Sequence, residues 1–287
     1  MTRSTLRGDA ADLIDTDRYP LGRPDSAAWA AAVDRVRADL RVDGCSVLRG
    51  FLRPELLERV QQEGRAVAPH AHRATEIVNV YHTATDPRLP GDHPARRTVE
   101  RGNAFVPGDR IPADQLIARL HRAPEMRRFV AACVEVPEVF PLADPLAGLC
   151  LNVVSPGQEH PWHFDTNEFA VTLLTQAPDG GGVFEYVPGI RTPSDENPYA
   201  VGAVLDGERG RVRSLRLRVG DLQIFRGRYS LHRVTAVAGA VERHTAVLSY
   251  TERPGVVGSL ERTRQLFGRV LPVHTAAART STDGLLD

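Results

Sequence analysis

Lysine is missing altogether: all 36 basic side chains of this 287-residue chain are arginine. That excludes a phosphate-loop lysine, a pyridoxal phosphate Schiff base and serine–lysine acyl chemistry. Cysteine is scarce. Cys45, Cys133 and Cys150 have no metal-binding spacing, and their odd number argues against a disulfide framework. Excess charge is absent too, since 36 acidic residues balance the arginines, so nothing in the count favours a nucleic-acid partner. No apolar run approaches the roughly 18 residues of a membrane span. The opening segment MTRSTLRGDAADLIDT lacks the apolar centre of a signal peptide. The expectation is a reduced, cytoplasmic protein with neither membrane nor nucleic acid as partner. What is present, 42% hydrophobic and 25% charged residues, is ordinary for a chain that buries a sizeable core.

Two textures divide the chain. Residues 1–25 are polar, broken by Pro20, Gly22 and Pro24, and read as an N-terminal arm, with 26–287 as one domain. Trp29, Val33, Val36 and Leu40 recur at helical spacing. They predict a helix from 26 to about 42, capped by Asp25 or Ser26 and closed by Gly44. The apolar run Cys45–Leu48 follows as a buried strand, and a second helix opens at Pro54 and runs to about 64. Residues 76–81 read as a strand, the proline- and glycine-broken stretch 86–108 as a long loop or lid, and 113–136 as helix interrupted at Pro124. After Pro145, short apolar or alternating runs succeed one another at 149–154, 169–175, 183–187, 212–218, 221–225, 232–237 and 244–250. Turns such as Gly180-Gly181-Gly182 separate them, the pattern of a β-sandwich or barrel. An insertion at 188–210, with a short helix near 199–205, interrupts the series, and a last helix is predicted at 259–270.

The segment Pro161-Trp162-His163-Phe164-Asp165 carries the strongest chemical signal. On an extended chain, residues i and i+2 share a face, so His163 and Asp165 can converge on one ion. They supply two of the three ligands of the two-histidine, one-carboxylate face that suits ferrous iron. The third ligand is expected on a later strand, and His232, opening the run Leu231-His232-Arg233-Val234, qualifies. Eleven positions on stands Arg243, within Arg243-His244-Thr245.

This arrangement resembles the Fe(II)/2-oxoglutarate-dependent oxygenase family. The resemblance implies a mainly β fold with flanking helices: a double-stranded β-helix, a jelly-roll or cupin-like barrel at about 145–252, buttressed by N-terminal helices. It also implies Fe(II), 2-oxoglutarate and O2 as cofactors. His163, Asp165 and His232 take the metal, and Arg243 and Thr245 the distal carboxylate of the co-substrate, for which a planar guanidinium is suited. Asn152, on the strand before the ligands, is a further candidate for the co-substrate. The opening around Asp43-Gly44-Cys45 and the stretch Gly181-Gly182-Val183-Phe184-Glu185 also resemble the family. Around the metal motif, residues 160–169 resemble the group containing carrier-independent amino-acid halogenases and their hydroxylase relatives. The halogenases carry glycine at the carboxylate position, where this chain has Asp165. The likeness therefore implies hydroxylation of a small, amino-acid-like molecule, with decarboxylation of 2-oxoglutarate to succinate, in specialised metabolism. His160, Thr166, Asn167 and Ser249 are candidates for touching substrate. Desaturation or ring closure at the same centre, a non-catalytic binding barrel, and a zinc hydrolase are the alternatives. A monomer or homodimer is expected.

Other polar residues have plainer readings. His70, His72, His82, His93, His121, His244 and His274 are taken as surface or packing residues, and Trp162 as a packing residue. Arg73, Glu76, Asn79, Tyr81 and Arg101 read first as solvated side chains, with the lining of a lid as the alternative.

Overall fold

The computed structural model describes residues 10–276 together with Leu285 and Leu286. Residues 1–9 of the expected arm, and 277–284 and 287 at the end of the expected domain, lie outside the described residues. Helix α1, Ala27–Asp43, starts where the Ser26 side chain accepts the Trp29 N–H at 3.1 Å. It buries Ala32, Val33, Val36 and Leu40, one stripe of the cylinder. Pro54 opens a short 3-10 turn that leads into α2, Leu57–Val67. The third helical region is two helices, α3 (Leu116–Arg122) and α4 (Pro124–Val134). Pro124 occupies the first turn of α4, where its missing N–H costs nothing.

Ten strands build two facing sheets. In chain order they are β1 Cys45–Leu48, β2 Ala104–Val106, β3 Leu149–Val154, β4 His160–His163 and β5 Ala170–Gln176; then β6 Phe184–Val187, β7 Arg213–Leu215, β8 Leu222–Phe225, β9 Leu231–Val234 and β10 Arg243–Leu248. The large sheet runs β1-β8-β5-β10-β3-β2 and the small one β7-β6-β9-β4, with antiparallel pairing throughout. The non-sequential order is that of a jelly roll. Alternation along the large sheet sorts its side chains. Leu149, Leu151, Val153, Val171, Leu173, Leu222, Ile224, Ala246 and Leu248 join the apolar cluster under the helices. Residues of the opposite parity on the same strands, Asn152, Phe225, Arg243 and Thr245, are thereby turned toward the small sheet. Phe225 of β8 meets Phe184 and Tyr186 of β6 edge-on at 5.2 and 5.6 Å, which closes the two sheets on each other.

Two expectations change. The stretch 86–108 is not a loop to its end: Val99–Arg101 pairs with Glu76–Val78, and β2 forms an edge of the large sheet against β3. Proline and glycine density hid two short strands that need a partner far along the chain. The described part of the expected arm packs into the domain: Leu13, Ile14, Tyr19 and Leu21 are buried in the main core and Ile14 bridges Leu52. Among the described residues, no helix is long and apolar enough to cross a membrane. All three cysteines are buried and unpaired.

Candidate metal centre

β4 and β9 are hydrogen-bonded neighbours, and their register sets His163 directly opposite His232. The ring centroids are 4.1 Å apart. Each imidazole is held by its own strand: Nδ1 of His163 lies 2.8 Å from the Pro161 carbonyl, and Nδ1 of His232 lies 2.9 Å from the Ser230 carbonyl. A carbonyl only accepts, so Nδ1 carries the proton on both rings and Nε2 offers its lone pair. Both Nε2 atoms lie close to Asp165, whose Oδ1 stands 3.9 Å from His163 Nε2 and 3.5 Å from His232 Nε2. The three donor atoms lie within 4.8 Å of one another, and two neutral nitrogens with one carboxylate suit a divalent iron. Burial, with His160 and His232 close by, pushes His163 well below the ordinary imidazole pKa, so the ring is neutral and available as a ligand.

The carboxylate is held differently. Asp165 lies just beyond the end of β4, and its N–H donates to the Gly227 carbonyl at 3.2 Å. A Cβ at Gly227 would stand 1.8 Å from Asp165 Oδ2, so the absent side chain is the space the ligand occupies. Gly227→Ala is expected to push the carboxylate aside and weaken Co(II) binding about 10- to 100-fold, the usual effect of disturbing a ligand's support. Calorimetric titration of Co(II) checks this, and an affinity within twofold of the parent would refute it.

A polar stripe leads inward from the imidazoles. His160 stacks on His163 with centroids 3.8 Å apart. Its Nδ1 is 3.4 Å from the Asn152 amide, and Asn152 accepts the Asn103 amide at 2.9 Å. Asn152 faces Thr245 across the β3–β10 register, and the Thr245 hydroxyl accepts from Arg243. Arg243 is only 4% exposed. Its Nε donates to the Gly182 carbonyl at 3.1 Å, and Gly182 has no Cβ to crowd the arginine stem. Among the described residues no carboxylate pairs with this guanidinium, and burial alone lowers its pKa to about 10. A buried cation without an anion is costly. The place is shaped for one.

Several residues that sequence reasoning assigned to the surface belong here. Arg101 is 2% exposed, and among the described residues its Nε and Nη1 have no hydrogen-bond partner. Nearby, Asn103 Oδ1, His160 Nε2 and both ring nitrogens of His82 are buried and have no partner among the described residues. His82 sits at a left-handed φ of 58° with its ring 5.5 Å from His163. A cavity of about 160 Å3 opens beside it, lined by Thr83, Ala84, Thr166, Arg262 and Gln265 as well. Arg262 and Gln265 reach it from the helix Leu260–Phe267, near the far end of the chain. Asn79 and Tyr81 are also buried, where solvated side chains were expected. Of the substrate candidates, His160 is at the centre, Thr166 is exposed and lines the cavity beside His82, and Asn167 is exposed on the loop past the carboxylate. Ser249 is not brought in: it follows the far end of β10, about 20 Å along the strand from Arg243, and donates to Ala147. No local spacing signals Arg101 or His82; pairing with Glu76–Val78 carries Arg101 inward, and the turn after that strand, in which the His82 N–H donates to the Asn79 carbonyl at 3.1 Å, carries His82.

A protein-family model described as halogenase D matches residues 28–267. Among solved structures, AviO1 from Streptomyces viridochromogenes Tue57 is 21% identical, over 80% of this chain and 96% of its own, with a TM-score of 0.52. The non-heme alpha ketoglutarate dependent epimerase SnoN from nogalamycin biosynthesis is 17% identical over 89% of this chain and 95% of its own, at 0.53. SnoN in complex with Fe3+, alpha ketoglutarate and nogalamycin RO aligns at 17% identity over 78% and 84%, also at 0.53. At these identities the likeness is one of fold. The comparison with curated proteins finds no match.

Proposed function

Because this chain belongs to the halogenase D family, within the Fe(II)/2-oxoglutarate-dependent oxygenases, we propose that it hydroxylates an unactivated C–H bond of a small free amino acid. Iron(II) with 2-oxoglutarate and O2 supplies the oxidising power, yielding succinate and carbon dioxide as one oxygen atom enters the substrate. The chain's own residues do the rest. His163, Asp165 and His232 would hold the ion through two neutral nitrogens and one carboxylate. Arg243, with Thr245 fixing one end of its fork, would pair with the distal carboxylate of the keto acid. Phe184 and Phe225, packed on the His232 ring, keep the surroundings of the imidazoles apolar.

One observation carries the substrate class: a second buried guanidinium, Arg101, with unused donors beside unused acceptors. A free amino acid offers a carboxylate to the first and an ammonium to acceptors such as Asn103 Oδ1. Asp165 supports oxygenation over halogenation, since the carboxylate stands where the halogenases leave a gap for chloride. Arg101→Met is expected to raise the substrate KM about 100-fold, the worth of roughly 3 kcal/mol of charge-assisted hydrogen bonds, with the 2-oxoglutarate KM unchanged. An amino-acid panel with Fe(II) and 2-oxoglutarate, read by succinate release and product mass, tests the proposal. A product heavier by one oxygen atom supports it. Turnover of no amino acid, or a product lighter by two hydrogens, overturns it.

A further inference from the structure

The carboxylate ligand is the least anchored of the three. Both imidazoles are pinned by backbone carbonyls, whereas among the described residues no hydrogen-bond donor reaches the Asp165 carboxylate, and its side chain is 27% exposed. Its position must come from the chain on either side of it, residues 164–166, and from the chain it rests on, Gly227 and Arg228. Arg191 touches both.

Arg191 lies in the 188–210 insertion and is 1% exposed. Its guanidinium carbon sits 3.9 Å from the centroid of Phe164, the residue between His163 and Asp165. Phe164 in turn stacks on Tyr81 at 5.6 Å with planes 12° apart, and its N–H donates to the Val80 carbonyl. On the other side, Arg191 Nε donates to the Arg228 carbonyl at 2.6 Å, next to the glycine that makes room for the ligand. Arg228 Nη1 reaches back to the Thr166 carbonyl at 2.8 Å. Arg191 Nη1 is held by the Glu196 carboxylate at 3.0 Å, from the same insertion, and by the Leu286 carbonyl at 3.1 Å. Burying a guanidinium whose Nη2 has no partner among the described residues is expensive. A planar cation that stacks and donates in fixed directions gains here what an ammonium cannot.

We propose that Arg191 is a positioning residue for the metal's carboxylate ligand, and that this clamp is what the 188–210 insertion contributes to the centre. The proposal rests on the metal reading of His163, Asp165 and His232. Its test is a double-mutant cycle on Co(II) affinity, measured by calorimetry without co-substrate. Arg191→Met is expected to weaken Co(II) binding about 10- to 100-fold, with Arg191→Lys recovering only part of it. In an Asp165→Ala background, Arg191→Met is expected to change nothing further. An equal loss in both backgrounds would show that Arg191 acts on overall structure and would overturn the proposal. If Arg191→Met does not fold, Phe164→Leu, which removes the face the guanidinium rests on, carries the same cycle: a loss confined to the Asp165 background supports the clamp, and an equal loss in both overturns it. If Asp165→Ala alone leaves Co(II) affinity unchanged, the metal reading itself fails, and the clamp with it.

Discussion

Replacing His163 with alanine is expected to abolish substrate-dependent succinate formation and to lower Co(II) affinity at least about 100-fold, with secondary structure kept. The loss is large because the three donors act as a set. His163 supplies one of two neutral nitrogens, its ring is pre-oriented by the 2.8 Å contact with the Pro161 carbonyl, and it sits between His160, which stacks on it, and His232, whose ring is tilted by 50°. Removing it leaves His232 and Asp165, too few ligands to hold a labile divalent ion against water. Far-ultraviolet dichroism separates this from unfolding, because the imidazole contributes little to the apolar cluster under the helices. Full coupled turnover in the variant would remove the metal assignment.

Arg243→Met separates function from stability more sharply. The 2-oxoglutarate KM is expected to rise about 100-fold, since a charge-assisted pair worth roughly 3 kcal/mol is lost. In the absence of the keto acid, the thermal midpoint is expected to hold or rise. The guanidinium is buried without an anion, and desolvation alone has drawn its pKa down to about 10, so the free protein carries a charge it would be more stable without. Methionine fills much the same volume without that cost. Differential scanning calorimetry with and without 2-oxoglutarate reads the stability effect, and steady-state kinetics the other. A variant that loses stability while keeping its keto-acid dependence would show that Arg243 is a structural residue.

These two residues also mark how far the chain was legible. The segment containing His163 and Asp165 was visible because alternation is local: two residues apart on extended chain share a face whatever lies around them. Arg243 was visible because a resemblance placed it, and its lack of an anion became evident only with burial. Helix α1 announced itself through a stripe at helical spacing and a capping serine, both local signals. Ser249 was misplaced for the opposite reason. It follows the strand that carries Arg243 and Thr245, and sequence alone does not say at which end of that strand the barrel is open.

Arg101 shows the limit most clearly. In sequence it is one arginine among 36, in a stretch dense with proline and glycine. Folded, it sits on a short strand paired with Glu76–Val78 and is shut away from water with donors unused. Gly227 is similar, a glycine with no motif around it whose missing atom is the seat of a ligand. Residue order along the chain was enough to specify the short-range periods, the turns, and the kinds of side chain available for chemistry. Which of those side chains meet, and which stay unpaired, was settled by the β4–β9 register and the closure of the two sheets. Hydrogen-bond ladders between distant segments decide that, because desolvation makes an unpaired charge consequential only once the fold has removed the water.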